Sequence, residues 1–185
     1  AEKFVLRDAS GKERGVWEMG PEGPGLAMQD EEGKLGAGLG VYQRGRGLIL
    51  TDGQGVTRAS VFVKPGGDPS VILSDAKGAM RAGIGLSPQG IPTILLNDEK
   101  GKERMGLSAL PQGASILLKD SSGKSRAALM VVDPEGPGLL ILNENERPIW
   151  RAPRRGTWPR RPSRRARARC ERQRPRSGPC GHFQC

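Results

Sequence analysis

Short apolar runs recur along the chain, and each ends two residues before an acidic or amide residue. Successive runs are 22 or 23 residues apart. A period in this range is typical of tandem arrays, in which each unit buries apolar side chains against its neighbours. The sequence therefore predicts seven repeats, marked by Asp8, Asp30, Asp52, Asp75, Asp98, Asp120 and Asn143.

Each repeat contains two segments with the pattern of a β-strand. The first is an apolar triplet, such as residues 48–50, bounded by Gly or Pro. A run this short and rich in branched residues is typical of a strand and not of an amphipathic helix. The second segment has apolar or small residues at every other position, as in Ala82, Ile84 and Leu86, which is the period of a strand with one buried face. The sequence predicts fourteen strands and no helix.

Two tight turns join the strands of each repeat. In the first, Asp can accept a hydrogen bond from the following backbone, and a Gly three residues later can take the positive φ of a bulged turn. In the second turn, Pro usually precedes Gly by two residues, as in Pro88 and Gly90. The seventh repeat departs from the pattern, because Glu146 stands at the Gly position. The predicted residues of the Asp turns are Asp8, Gly11, Asp30, Gly33, Asp52, Gly55, Asp75, Gly78, Asp98, Gly101, Asp120 and Gly123.

A meander of fourteen strands leaves one apolar face and two edges uncovered. Either one chain coils into a β-solenoid, or several copies wind together. From Phe4 to Leu142, the alternation of apolar strand, Pro/Gly turn, returning strand and loop resembles the triple β-spiral of viral fibre shafts. This resemblance implies three identical chains around one axis, and hence self-association as a homotrimer. The fold class expected is all-β, as an elongated fibre of this kind or a single-chain β-solenoid.

The basic charge of the chain is confined to its C-terminal part. Residues 1–150 carry 18 Lys and Arg against 19 Asp and Glu, whereas residues 151–185 carry 12 against 1. The net charge of +10 therefore does not indicate that the repeats bind nucleic acid. We expect a repeat array over 1–150 and an Arg/Pro-rich tail over 151–185, which has too few apolar residues to fold.

The tail has two interpretations. As a functional segment it would contact nucleic acid or acidic glycan through its arginines. Alternatively, its abrupt start and its use of Arg without Lys indicate a frameshift product, with true repeats continuing in the original frame. The spacing of its Cys and His residues is too wide for a typical zinc site. The candidate polyanion contacts are Arg154, Arg155, Arg160, Arg161, Arg164, Arg165, Arg167 and Arg169.

The repeats offer little for catalysis or for a cofactor. Residues 1–150 contain no Cys and no His, and their recurring carboxylates belong to turns. Calcium binding is disfavoured, since each turn supplies one dependable carboxylate and the Gly-rich nonapeptide spacing of calcium-binding rolls is missing. A recurring Arg could form a basic stripe, but the acids nearby favour ion pairs. No apolar run approaches the ~20 residues of a membrane helix.

The leading hypothesis is a non-enzymatic structural shaft, spacer or surface fibre without a cofactor. One alternative is a polyanion-binding protein that works through the Arg-rich tail. Another is a single-chain β-solenoid that serves as an interaction platform. A fibre of this kind favours an extracellular, cell-surface or virion setting, although no residue pattern in the chain identifies the compartment.

Overall fold

The computed structural model describes residues 2–43 and 45–153, which form fourteen strands in one antiparallel sheet. Each strand pairs with its neighbours in sequence, so the sheet is an open meander with β1 and β14 at its edges. The expected fold class, all-β with tandem two-strand repeats, is confirmed. The strands are β1 Lys3–Arg7, β2 Glu13–Gly20, β3 Gly23–Gln29, β4 Leu35–Tyr42, β5 Gly45–Thr51, β6 Thr57–Val63, β7 Pro69–Ser74, β8 Met80–Leu86, β9 Pro92–Asn97, β10 Glu103–Leu110, β11 Gly113–Lys119, β12 Ser125–Val132, β13 Gly136–Leu142 and β14 Pro148–Ala152.

The Asp turns fold through two backbone hydrogen bonds and one side-chain acceptor. In the turn between β5 and β6, the Gly55 N–H donates to the Asp52 carbonyl at 2.8 Å, and the Asp52 N–H donates to the Val56 carbonyl at 3.0 Å. Asp52 Oδ1 accepts from the backbone N–H groups of Gln54 and Val56. Gly55 has a φ of 81°, a left-handed conformation that favours glycine. The other first turns close in the same way, at Asp8, Asp30, Asp75, Asp98, Asp120 and Asn143.

A β-bulge accompanies each of these turns. Next to the Asp52 turn, for example, the pairing of β5 with β6 shifts between Leu50 and Thr51. Such a bulge places two residues of one strand opposite one residue of its partner. The turn therefore sets both the reversal of the chain and the register of the strands that follow it.

Glu146 occupies the glycine position of the seventh turn without changing its geometry. Its N–H donates to the Asn143 carbonyl at 3.0 Å, and its φ is 58°. Its carboxylate accepts a hydrogen bond of 2.9 Å from the backbone N–H of Ser125. The departure predicted from the sequence is thus one of residue type, and the backbone keeps the form of the other repeats.

The described part of the chain forms a single layer. Each strand contacts only the strands next to it in sequence. Val16 and Ala128 are the only buried apolar side chains among the described residues, at 7% and 3% exposure. One copy therefore has strands, turns and register but almost no hydrophobic core.

The turn geometry predicts unequal effects for the substitution of two of its glycines by alanine. Gly53 and Gly55 lie in the same turn, and a methyl group added to either meets open space. Only Gly55 has positive φ, so Gly55→Ala should lower the free energy of unfolding by about 1–2 kcal/mol. Gly53→Ala is the matched control and should be neutral or slightly stabilising. Urea unfolding at one protein concentration measures both, and equal losses would contradict the assigned turn.

Candidate functional site

Strand pairing sorts the side chains onto two chemically different faces, because successive residues of a strand point to opposite sides. The face that we call the apolar face carries one charged residue among the described strands, Arg46. The opposite face, called the charged face, carries all the others. They are Lys3, Arg7, Glu13, Arg14, Glu18, Arg58, Arg81, Glu103, Arg104, Lys119, Arg126 and Arg151.

A continuous row of apolar residues crosses the middle of the apolar face. Its members lie directly opposite each other from strand to strand, as Leu39 does to Leu48 and Leu48 to Val61. No polar residue interrupts it. This central row consists of Phe4, Trp17, Leu26, Leu39, Leu48, Val61, Val71, Ile84, Ile94, Leu107, Ile116, Leu129, Leu139 and Ala152.

Two further rows flank the central row. The Asp-side row, next to the Asp turns, consists of Leu6, Gly15, Met28, Ala37, Leu50, Ala59, Leu73, Ala82, Leu96, Met105, Leu118, Ala127, Ile141 and Trp150. The Pro-side row, next to the other turns, consists of Met19, Pro24, Val41, Arg46, Val63, Pro69, Leu86, Pro92, Ala109, Ala114, Val131 and Pro137.

The apolar face is the exposed one. All the large apolar side chains that are exposed among the described residues lie on it, apart from Val5, Leu110 and Ile149. Trp17 is 58% exposed and its ring lies 5.9 Å from that of Phe4. Exposed apolar surface that is continuous across a whole sheet is characteristic of an interaction surface.

Several apolar side chains on the charged face are partly covered within their own sheet. The Phe62 ring lies against the backbone of Gly45 and Gly47, and the Ile49 side chain lies beside Gly38. Glycine on a neighbouring strand leaves room for these larger groups. The two faces therefore differ in charge and in the exposure of their apolar side chains. In one copy, most of the exposed large apolar side chains lie on the apolar face.

The recurring Arg residues of the repeats pair with the turn acids. Arg58 Nη1 lies 3.2 Å from Asp52 Oδ2, and Arg104 Nη1 lies 3.3 Å from Asp98 Oδ2. The pairs Arg14–Asp8, Arg81–Asp75 and Arg126–Asp120 repeat this contact. The ion-pair interpretation of the Arg stripe is confirmed, and the stripe is largely neutralised by its own repeat.

The same Arg residues, together with a recurring Lys, link each repeat to the next. Arg58 Nε donates to the Ser74 carbonyl at 3.0 Å, and Arg81 Nε donates to the Asn97 carbonyl at 3.1 Å. Lys34 Nζ donates to the Gly53 carbonyl at 2.6 Å. Lys12, Lys102 and Lys124 make the equivalent bond to the following turn. This role of Lys was not predicted from the sequence, although the recurrence of Lys four residues after Asp is a detectable signal.

Hydrogen bonding holds the pKa of several turn acids below the usual value. For Asp8 and Asp120 the hydroxyls of Ser10 and Ser122 are the main cause, and for Asp52 and Asp75 the backbone N–H groups of the turn are. At Asp98, partial desolvation opposes the effect, but N–H donors from Lys102 and Lys100 outweigh it and the pKa is again lowered. These carboxylates are fixed as anions that shape turns.

The described residues contain no group of three or more His, Cys, Asp or Glu side chains placed to hold a metal ion. Residues 2–43 and 45–153 also include no helix long and apolar enough to cross a membrane. The predicted turn residues lie in the turns described above. The candidate polyanion contacts, Arg154, Arg155, Arg160, Arg161, Arg164, Arg165, Arg167 and Arg169, lie outside the described residues, as does the rest of the predicted disordered tail from residue 154 onward. The first two residues assigned to the tail, Arg151 and Ala152, lie in β14.

No protein-family model matches the chain, and no curated protein is significantly similar to it.

The lowered pKa values predict that stability falls in acid. A group whose folded pKa lies below its unfolded value contributes stability above the unfolded pKa, and that stability is lost as pH falls towards the folded pKa. The free energy of unfolding should therefore stay level near neutrality and decrease below about pH 4. Urea unfolding across this range, at one protein concentration, measures the slope.

The matched control replaces Asp52, Asp75 and Asp98 together by Asn. Asn143 shows that an amide oxygen serves the same turn, since its Oδ1 accepts from the N–H groups of Asn145 and Arg147. The triple variant should keep the fold and show a shallower loss of stability in acid. An unchanged slope would mean that other groups cause the acid sensitivity.

Proposed function

We propose that this protein is a non-enzymatic structural element, a shaft, spacer or surface fibre, in which copies of the chain associate through the apolar face. The observation that carries the proposal is the central row, which runs uninterrupted across fourteen strands. Such a surface is unfavourable on a soluble monomer, because its apolar side chains would stay in contact with water.

The dimensions of the apolar face support self-association. Fourteen strands about 4.8 Å apart, in most of which the three residues on this face span five positions or about 17 Å, give an area of about 1,100 Å². The largest apolar patch of a monomeric protein is about 300–600 Å², whereas a stable interface takes about 800 Å² from each partner. The face is thus too large for an ordinary monomer surface and large enough for a stable interface.

The missing core supports the same conclusion. Two apolar side chains, Val16 and Ala128, are buried in the described part of one copy. A sheet normally needs a second layer for independent stability. Association would supply that layer from another copy, so folding and assembly would be coupled. Three copies, as in the fibre shafts that the sequence resembles, form the assembly that we propose.

A non-enzymatic role follows from the distribution of reactive groups. Residues 1–153 contain neither Cys nor His. The recurring carboxylates are held by their own turns and paired with Arg, and they are spread along the sheet instead of converging on one site. The alternative function, polyanion binding, depends on arginines outside the described residues and stays a prediction.

Charges placed in the central row should prevent assembly. Ile84 and Ile94 lie directly opposite each other on β8 and β9. The double variant Ile84→Lys, Ile94→Glu introduces a cross-strand ion pair at the centre of the apolar face. Because burying it would require desolvation of both charges, association should weaken by about 100-fold or more. Sedimentation equilibrium, or light scattering coupled to gel filtration, gives the mass.

The matched control makes the same change on the charged face. Ser108 and Ser115 also lie directly opposite each other, with their hydroxyl oxygens 3.2 Å apart. Ser108→Lys, Ser115→Glu should leave the mass of the assembly unchanged. If the unmodified chain is a compact monomer in the same measurement, the proposed function is wrong.

A further inference from the structure

Residue size alternates across the two rows that flank the central row. In odd-numbered strands from β3 to β13, the Asp-side row has a large side chain and the Pro-side row has Pro or Ala, except in β5, which has Arg46. In β2, β4, β6, β8 and β12 the order reverses, with a small residue in the Asp-side row and a larger one in the Pro-side row. The even-strand pairs are Gly15/Met19, Ala37/Val41, Ala59/Val63, Ala82/Leu86 and Ala127/Val131.

Strand β10 exchanges the two sizes. Its Asp-side residue is Met105, where β2, β4, β6, β8 and β12 have Gly or Ala, and its Pro-side residue is Ala109, where these strands have Val, Leu or Met. The total size of the pair is conserved although the order is reversed. A large residue gained in one row is therefore matched by a small one in the other row of the same strand.

Contacts within one copy do not explain this exchange. Residues four apart on a strand are about 13 Å apart, so Met105 and Ala109 do not touch. The cross-strand neighbours of Met105 are Leu96 and Leu118. Both are as large as the neighbours of Gly or Ala at this position in other strands, so they do not compensate for the extra volume of Met105. A contact that brings the Asp-side row of one chain to the Pro-side row of another at the same strand would supply the compensation.

We infer that the copies pack parallel and in register around an axis along the central row, three to an assembly. Each Asp-side row then meets the Pro-side row of the next copy, level by level. Met105 lies beside Ala109 of the neighbouring copy, and Ala82 lies beside its Leu86. This arrangement rests on the proposed self-association and specifies which residues of the second copy cover which part of the face.

An antiparallel arrangement also places small residues against large ones at most levels, but it fails at β10. If two copies overlapped along all fourteen strands in opposite directions, β10 of one would lie over β5 of the other. Met105 would then face Leu50, which pairs two large side chains in a close-packed interface. Only the parallel, in-register arrangement turns the exchange in β10 into a fitted contact.

The width of the apolar face fits three copies. Five residues of a strand span about 17 Å, and a triangular prism with sides of this width has its axis about 5 Å from each side. That distance is half of the about 10 Å that separates packed sheets. The central-row side chains of three copies would fill the space around the axis.

Engineered disulfides test the arrangement in the full chain. The native Cys170, Cys180 and Cys185 are first replaced by Ser, and Ala82→Cys and Leu86→Cys are added together. The two new thiols are too far apart within one copy to form a disulfide, which requires Cα atoms about 4.4–6.8 Å apart. After mild oxidation, the main band on a non-reducing gel should shift from one chain to three, because a ring of three disulfides closes. Met105→Cys with Ala109→Cys should give the same shift.

The control is Ser70→Cys with Ser74→Cys, a pair with the same separation on the charged face of β7, which should stay a single chain on the gel. The native mass of each variant is measured in parallel. A covalent dimer as the end product would overturn the three-fold arrangement. Native assemblies that form no more disulfide than the control would overturn the parallel register and leave self-association standing. A native monomer before oxidation would overturn the proposed function itself.

Discussion

Strand register is the constraint on which the whole molecule depends. Since side chains alternate between faces, a slip of one residue would move the central row to the charged face. The Asp turn prevents such a slip, because its geometry accommodates a single bulged residue. Two backbone hydrogen bonds, the carboxylate acceptor and the glycine at positive φ together fix that geometry. Each turn therefore sets the same register in the pair of strands that it joins.

A single layer also limits where cohesion can come from. In one copy, stability rests on backbone ladders and on links between consecutive repeats, such as the bond from Arg58 to the Ser74 carbonyl. These links act only between nearest neighbours, as in other repeat proteins. Hydrophobic burial, usually the dominant stabilising contribution, is almost absent within one copy and would come from the proposed contact between chains.

Much of this architecture could be predicted from the sequence, because it depends on local chemistry. The Asp52 and Gly55 pair identifies its turn unaided, and the triplet at 48–50 identifies its strand. Strand geometry alone divides that triplet between two faces. Which of the two faces joins the apolar residues of the neighbouring strands could not be predicted so directly, since it depends on which residues pair across strands. Ile49 lies on the charged face, whereas Leu48 and Leu50 lie on the apolar one.

The links made by Lys were missed for a related reason. Whether Lys34 Nζ reaches the Gly53 carbonyl depends on the distance between successive turns along the sheet, which the register sets and the residue pattern does not display. The size exchange in β10 was visible only as an exception at Met105. It acquires meaning once Met105 and Ala109 are known to share one face of one strand.

The nearest-neighbour pairing of strands has a consequence for the length of the molecule. Each repeat adds two strands to the sheet, so gaining or losing one repeat would change the length by about 10 Å and leave every other contact as it was. Duplication or deletion of whole repeats in the gene would therefore give a longer or shorter sheet with strands of the same length. The number of repeats sets the length of the sheet.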